Sequence, residues 1–408
     1  MHPPTALVVG AGVSGPALAL FLQRAGYAVT VHEARRATAP DTGSYFSLAS
    51  NGRAVLDRLG LLSLIDRIGV PTSRMDFTDH RGHVLGVNHT PSTLIRRDRL
   101  SAILRLSAAG AGIPITYGSQ IVAVDQPTGS VGGHGARPVA RFADGSRLAA
   151  DLIVGCDGIH STVRRSVLAD GPEPRFTGVI DGGGTARLPE PPPEDGTMRL
   201  VFGRRAFFAY QTLPGGEVAW FQNTRAGFAG SRREPGGIPV ATWREHLLGL
   251  HEGDHSLIPK IITATTGPLH RWAVYELPSL PRWSSGAVGL IGDAAHAMPP
   301  HDGQGASMAL EDALVLARCL RGGIQPAAAL QEFEALRRER VEETAHQSNR
   351  SGRHKFPATE RARQVRDQLL PHLLKQGVEA ATRVSARLPD AVAEPGCARK
   401  EEPWANKA

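Results

Sequence analysis

The chain has 408 residues, enough for a large core and for two or three domains. Its formal charge of +7 is carried mostly by scattered arginines without interleaved aromatics, which reads as surface charge and excludes a nucleic-acid footprint. Cys156, Cys319 and Cys397 lack metal-ligand or disulfide spacing, no stretch approaches the ~20 apolar residues of a membrane helix, and the first apolar strand starts at Ala6, so a cytoplasmic protein without leader, membrane segment or metal is expected.

Ala6-Leu7-Val8-Val9 is a short apolar run of the kind buried on both faces of a parallel sheet. Gly10-x-Gly12-x-Ser14-Gly15 follows at once, and PALALFLQRAG then continues as a strong helix former up to Gly26. Gly10 permits the tight turn, Gly12 lets a pyrophosphate approach the backbone, and Gly15 lets the helix pack close on the strand. Free N–H groups at the helix start face the phosphates. A second apolar strand, Tyr27 to His32, ends in Glu33, placed to accept from the hydroxyls of an adenosine ribose, with Arg35 just beyond. This is a dinucleotide site, and the motif alone does not choose FAD over NAD.

In the stretch Gly43 to Arg53, Arg53 is the only candidate ligand. Leu94 to Leu100 opens a basic helix after a strand and carries Arg97. Leu152 to Gly155 is another buried strand, so Asp157-Gly158 lies at its carboxyl end, where ligands of open α/β sheets collect. Ser161 and Thr162 are candidate caps for a helix carrying Arg164 and Arg165, arginines that suit either phosphate contacts or plain solvation.

Residues 172–285 change texture. Met198 to Phe202, Ala206 to Thr212 and Glu217 to Asn223 read as strands of a mostly antiparallel sheet, to which Ser73 to Val87 adds more. Pro189 to Asp195, Arg232 to Gly237 and the clusters Gly132-Gly133 and Gly182 to Gly184 read as loops. Alternation puts Phe208 and Tyr210 on one face and Phe207, Ala209 and Gln211 on the other; one face lines a pocket, with Trp220 and Gln222 as further candidates.

Ala287 to Ile291 is a strand ended by Gly292-Asp293. Pro299-Pro300 forces an extended segment, and Gly303-Gln304-Gly305 allows close approach of backbone to a flat ring. A helix runs from about Ala306 and Ser307 through MALEDALVLARCL, its N-terminal N–H groups free for a ligand. His296 reads as structural, whereas His301 sits within the glycine-proline segment. Residues 326–348 and 358–377 look helical, before a Pro-, Ala- and charge-rich tail expected to be disordered.

The order and spacing of GAGVSG at 10–15, Asp157-Gly158 and GDAAHAMPPHDGQGASMALEDA at 292–313 make this chain resemble the single-component FAD-dependent aromatic hydroxylases, the p-hydroxybenzoate hydroxylase-like monooxygenases. The resemblance spans roughly residues 5–380 and stops short of the thioredoxin-like C-terminal domain of larger relatives. It implies an α/β fold: a discontinuous Rossmann-like FAD-binding domain (1–72, 96–171 and 286–385), a mostly antiparallel β-sheet substrate domain (73–95 and 172–285), C-terminal helices, and a tail at 386–408. It further implies that Asp293 holds the FAD ribityl chain, Arg97 contacts FAD, and Asp157-Gly158 supports the pyrophosphate and the NADPH interaction. Pro300, Gly303, Gln304, Gly305, Ala306 and Ser307 would surround the flavin ring, and Gly43 to Arg53 would be the loop over which that ring moves in the family. The family often has Asn at the position of Ser307, and serine still suits a helix start.

The activity implied is hydroxylation of an electron-rich, phenolic small molecule through a flavin C4a-hydroperoxide, with FAD as cofactor and NADPH or NADH and O2 as co-substrates, in a monomer or homodimer. His301 and Tyr210 are the candidate bases for the phenol. Epoxidation, Baeyer–Villiger insertion, or a non-catalytic flavoprotein that sequesters a ligand or senses redox state are the alternatives. The Trp-x-Trp-x-Ile-Pro signature of flavin halogenases is absent.

Overall fold

A computed structural model describes residues 2–37, 44–126, 137–227, 239–357 and 359–386. Two large sheets dominate. The first has six strands in the order Ser284–Ser285, Val288–Leu290, Leu152–Gly155, Thr5–Val9, Ala28–Glu33, Ile115–Tyr117. All neighbours are parallel except the first pair. Leu7, Val8, Leu152, Ile153, Val154, Val288 and Leu290 are fully enclosed, as uninterrupted apolar runs require when helices cover both faces. The Ser14–Arg24 and Gly305–Cys319 helices pack against each other over this sheet.

The second sheet has seven strands: His270–Glu276, Arg175–Arg187, Glu217–Arg225, Phe207–Thr212, Thr197–Phe202, Arg74–Asp79, Val84–Asn88. Every pairing is antiparallel except Thr197–Phe202 with Arg74–Asp79. The early segment therefore does extend this sheet, but the next strand, Ser92–Arg96, belongs to a small sheet with Tyr45–Ala49 and Val70–Thr72.

One face of the seven-stranded sheet carries Phe208, Tyr210 and Trp220, which form a core with Trp243, Leu247, Ile258, Ile261 and Ile262 of the Val240–Leu250 and Leu257–Thr263 helices. The other face carries Phe202, Phe207, Leu200 and Phe221 and meets Leu370 and Leu374 of the Glu360–Ala386 helix.

Three expectations are corrected. Gly182 to Gly184 is not a loop but the middle of the Arg175–Arg187 strand. Glycine is required there because a Cβ on Gly183 would lie 2.4 Å from the Trp220 carbonyl oxygen and one on Gly182 would lie 2.6 Å from that of His270. Of the 43–53 stretch, Tyr45–Ala49 is a strand and Ser50–Arg58 begins a helix, so it is no loop. Pro300–Asp302 forms a short 3-10 turn and not a continuation of the extended segment. Gly43, Gly132-Gly133, Arg232 to Gly237 and the tail from 387 lie outside the described residues.

Candidate active site

The two sheets enclose a cavity of about 1490 Å³ between them. Single small-molecule pockets are about 300–1,000 Å³, so this space suits a dinucleotide together with a second ligand. Gly10, Gly12, Ser14, Glu33 and Arg35 line one end. Gly10 has φ +102°, and a Cβ on Gly15 would fall 1.9 Å from the Gly10 carbonyl oxygen, so the turn and the close helix packing both demand glycine. Nothing stands within 4 Å of a Cβ placed on Gly12, which leaves backbone open to the cavity. Glu33 accepts from the Ala11 N–H at 2.7 Å and from the Arg35 N–H at 2.9 Å, which fixes its carboxylate at the strand end.

Asp157 and Gly158 line the same wall. The Asp157 carboxylate accepts from Ser161 Oγ–H at 2.5 Å and from the Thr162 N–H at 2.7 Å, while Ser161 Oγ caps the following helix by accepting from the Arg164 N–H at 2.9 Å. Burial raises the Asp157 pKa above its ordinary value against these bonds. Arg164 is buried and donates to the Ala294 carbonyl at 3.2 Å, so it braces the wall from behind and is not a surface ligand; Arg165 is exposed.

Asp293, Pro300, His301, Gly303, Gly305 and Ala306 continue the lining from the neighbouring strand end, with Arg97 reaching to 3.7 Å from Asp293. A carboxylate and a guanidinium at one lip, open glycine backbone, and a helix N-terminus at Gly305 are the donor and acceptor set that a ribityl-pyrophosphate chain and a flat ring need. The residues present fit FAD.

Three expected FAD ligands and one expected base do not reach this space. Arg53 is turned to Asp66 (2.6 Å) and hydrogen-bonds Thr93, bracing the strand beside it. Gln304 accepts from Asn51 Nδ2 at 3.2 Å, and Ser307 is buried against Gly52 of the Ser50–Arg58 helix, where a Cβ would lie 2.6 Å from Ser307 Oγ. Tyr210 points into the core on the far face of its sheet, with Phe208 and Trp220, and is withdrawn as a catalytic candidate. Trp220 and Gln222 share that face, whereas Phe221 lines the cavity. His301 does line it, but its ring lies against Gly352, and burial, then the Lys355 charge, push its pKa down to about 3. At neutral pH it is an uncharged ring and a very weak base.

Two groups escaped notice in the sequence. Glu311 and Asp312 are fully buried in the Gly305–Cys319 helix. Asp312 accepts from the Gly292 N–H (3.0 Å) and from Arg337 Nε (2.8 Å), and it pairs with His296 Nε2 at 2.6 Å. Glu311 binds Arg337, Arg340 and Asn51. This network bolts the glycine turn before Asp293 to the helix and gives the buried His296 its partner there. The signal was present as adjacent acids inside MALEDALVLA. The second group is Lys355 with Asp181 and Asn223, on the apolar floor of the cavity.

The family model described as "FAD binding domain" matches residues 4–348. A 3-amino-4-hydroxybenzoate 2-monooxygenase of Streptomyces platensis is 31% identical over 394 residues, covering 91% of this chain and 93% of the relative. An aurachin C monooxygenase/isomerase of Stigmatella aurantiaca is 29% identical over 390 residues, covering 93% and 97%. Among solved structures, Klebsiella pneumoniae HpxO complexed with FAD and uric acid superposes with TM-score 0.81 at 23% identity over 94% of this chain and 97% of that one. No described helix is long and apolar enough to cross a membrane, and the described residues hold no metal-ligand cluster. With the dinucleotide cradle, the Asp157-Gly158 wall and the Asp293 loop gathered in one cavity, the chain belongs to the FAD-binding family of single-component aromatic hydroxylases and is an FAD-dependent monooxygenase.

Proposed function

We propose that this monooxygenase hydroxylates a phenolic or hydroxylated heteroaromatic small molecule, using NADPH or NADH as reductant and O2 as oxidant. The observation that carries this is the continuity of the flavin cradle with a floor built from Phe207, Phe221, Leu200 and Met198. Such a floor takes a flat ring by its faces, and a few polar groups at one end orient it. FAD supplies the redox and oxygen-transfer chemistry when bound. The protein's own residues do the rest: Asp293 and Arg97 hold the polar chain, the aromatic floor excludes water and orients the ring, and the Gly305–Cys319 helix start offers N–H groups to the flavin edge. Relatives are named for 3-amino-4-hydroxybenzoate, 6-hydroxynicotinate and urate, all hydroxylated or oxo-substituted rings. The cytoplasm remains the expected compartment, in keeping with buried free thiols at Cys156 and Cys319.

The test is a panel of these three compounds, salicylate and simple aminophenols. The FAD-loaded protein is given NADPH or NADH and labelled O2. A product carrying one labelled oxygen, with nucleotide consumption stimulated by the same compound, supports the reading. Nucleotide consumption that no ring compound stimulates, with no oxygenated product, refutes it.

A further inference from the structure

A polar row crosses the apolar floor of the cavity, and none of its residues is among those assigned to FAD above. Strand register sets Trp272, Asp181, Asn223 and Phe207 side by side on four neighbouring strands. Asp181, Trp272 and Phe207 line the cavity, and Asn223 shares their face. Asp181 is only 8% exposed, and its Oδ1 accepts from the Gly182 N–H at 2.8 Å and from Asn223 Nδ2 at 3.0 Å. The other end of the Asn223 amide, Oδ1, accepts from Lys355 Nζ at 2.9 Å. Lys355 is 5% exposed, arrives from the turn between the two long C-terminal helices, and places its ammonium 3.9 Å from the Phe207 ring centroid.

Removing a carboxylate and an ammonium from water is costly, and an apolar replacement would build a more stable floor. Charged groups kept in a ligand cavity point to chemistry. We propose that Asp181 is the proton acceptor for the phenolic hydroxyl of the substrate, and that Asn223 and Lys355 are the positioning residues that aim it. In this step the substrate O–H bond breaks, the proton passes to the Asp181 carboxylate, and the electron pair stays on the substrate oxygen. The resulting phenolate enriches the ring carbons that receive oxygen. The inference rests on the hydroxylase reading above.

The electrostatics agree with this geometry. Burial pushes the Asp181 pKa up, and Lys355, the Gly182 N–H, Asn223 and Trp272 pull it back, to about 7. Burial likewise lowers Lys355, against Asp302 and Asp181, to about 8. A base works best with a pKa near the working pH. The other ionisable groups lining this part of the cavity are Asp302 and His301 from the loop before the Gly305–Cys319 helix, Arg350 and His354 beside Lys355, and His270 and Arg271 on the strand that carries Trp272, with the His270 ring 6.5 Å from that of Trp272. His301 stays neutral and does not compete for the proton.

The test uses the FAD-loaded enzyme and a phenol from the panel that the wild type oxygenates. Asp181→Asn is expected to keep its FAD and to lower oxygenation about 100-fold at neutral pH, within the usual effect of a general base. The acidic limb of its kcat/KM profile near pH 7 should vanish, and activity should recover as pH approaches the phenol's own pKa. The deficit should shrink for an acidic phenol such as 4-nitrophenol. Lys355→Met should move the same limb to higher pH, which a merely structural role would not do, and this variant stands in if Asp181→Asn fails to hold FAD. An unchanged rate and limb in Asp181→Asn, or an unmoved limb in Lys355→Met, overturns the inference alone. A wild type that oxygenates ring compounds of the panel but no phenol also overturns this inference alone, and one that oxygenates no compound of the panel overturns the functional reading and this inference with it.

Discussion

Replacing Asp312 with Asn removes the one charge on which the Gly292 N–H, His296 and Arg337 converge. Burial alone would raise the pKa of this carboxyl. His296, Arg337 and the Gly292 N–H outweigh burial and bring it from 3.8 to about 2. At about 1.4 kcal/mol per unit, that shift corresponds to about 2.5 kcal/mol of stability. Because the folded value lies below the unfolded one, the contribution is complete above about pH 4–5 and is lost as pH falls through about 2. Asp312→Asn also leaves the buried Arg337 with less counter-charge, so a total loss of about 3–4 kcal/mol is expected. Urea unfolding of the FAD-loaded protein measures it, followed by tryptophan fluorescence, since Trp283 lies 5.2 Å from the His296 ring. The deficit should be equal at about pH 7 and pH 5 and shrink toward pH 3. A deficit below about 0.5 kcal/mol, the size of an ordinary surface change, or one that persists undiminished at about pH 3, would refute the reasoning.

Acid or heat should release intact FAD, and Asp293→Ala should weaken FAD binding by roughly 10- to 100-fold, the worth of one charge-assisted hydrogen bond; equilibrium titration of the apoprotein reads it. Tyr210→Phe should leave kcat within about twofold, because the residue packs in the core behind the sheet and general-base losses are about 100-fold or more; steady-state rates on any turned-over phenol check this. Anaerobic stopped-flow reduction by NADPH should be faster with that phenol present, since the described residues contain one strand–glycine–helix nucleotide unit and substrate must bias flavin access. Equal rates with and without it would exclude such gating.

The parts of the site legible in the sequence are those whose physics is local. GAGVSG declares its own turn, and Ser161 its own cap, within a few residues. Alternation separated Phe207 from Phe208 but did not say which faced the ligand. That choice belongs to the Val240–Leu250 and Leu257–Thr263 helices, which cover the Phe208 face and leave the other for the cavity. Gly182 to Gly184 misled because glycine usually marks a turn; here it marks strands pressed too close for a Cβ. Asp181 and Lys355 meet across half the chain through Asn223, and no window of sequence contains both.

The strand order of the six-stranded sheet sets a timetable for the growing chain. Leu152–Gly155 pairs on one side with Thr5–Val9 and on the other with Val288–Leu290, and every strand from 175 to 276 is made before that last partner exists. The seven-stranded sheet draws its final strand, His270–Glu276, just ahead of it. Assembly on the ribosome can thus complete the antiparallel sheet first, while the nucleotide half waits with an open edge and no helix at Gly305–Cys319 to close its ligand site. Contacts of such long sequence separation fold slowly, and an unpaired edge invites aggregation. A fragment ending near residue 280 would then fail to bind flavin despite containing the whole GAGVSG turn, and supplying FAD during expression would rescue yield only once residues beyond 305 have emerged.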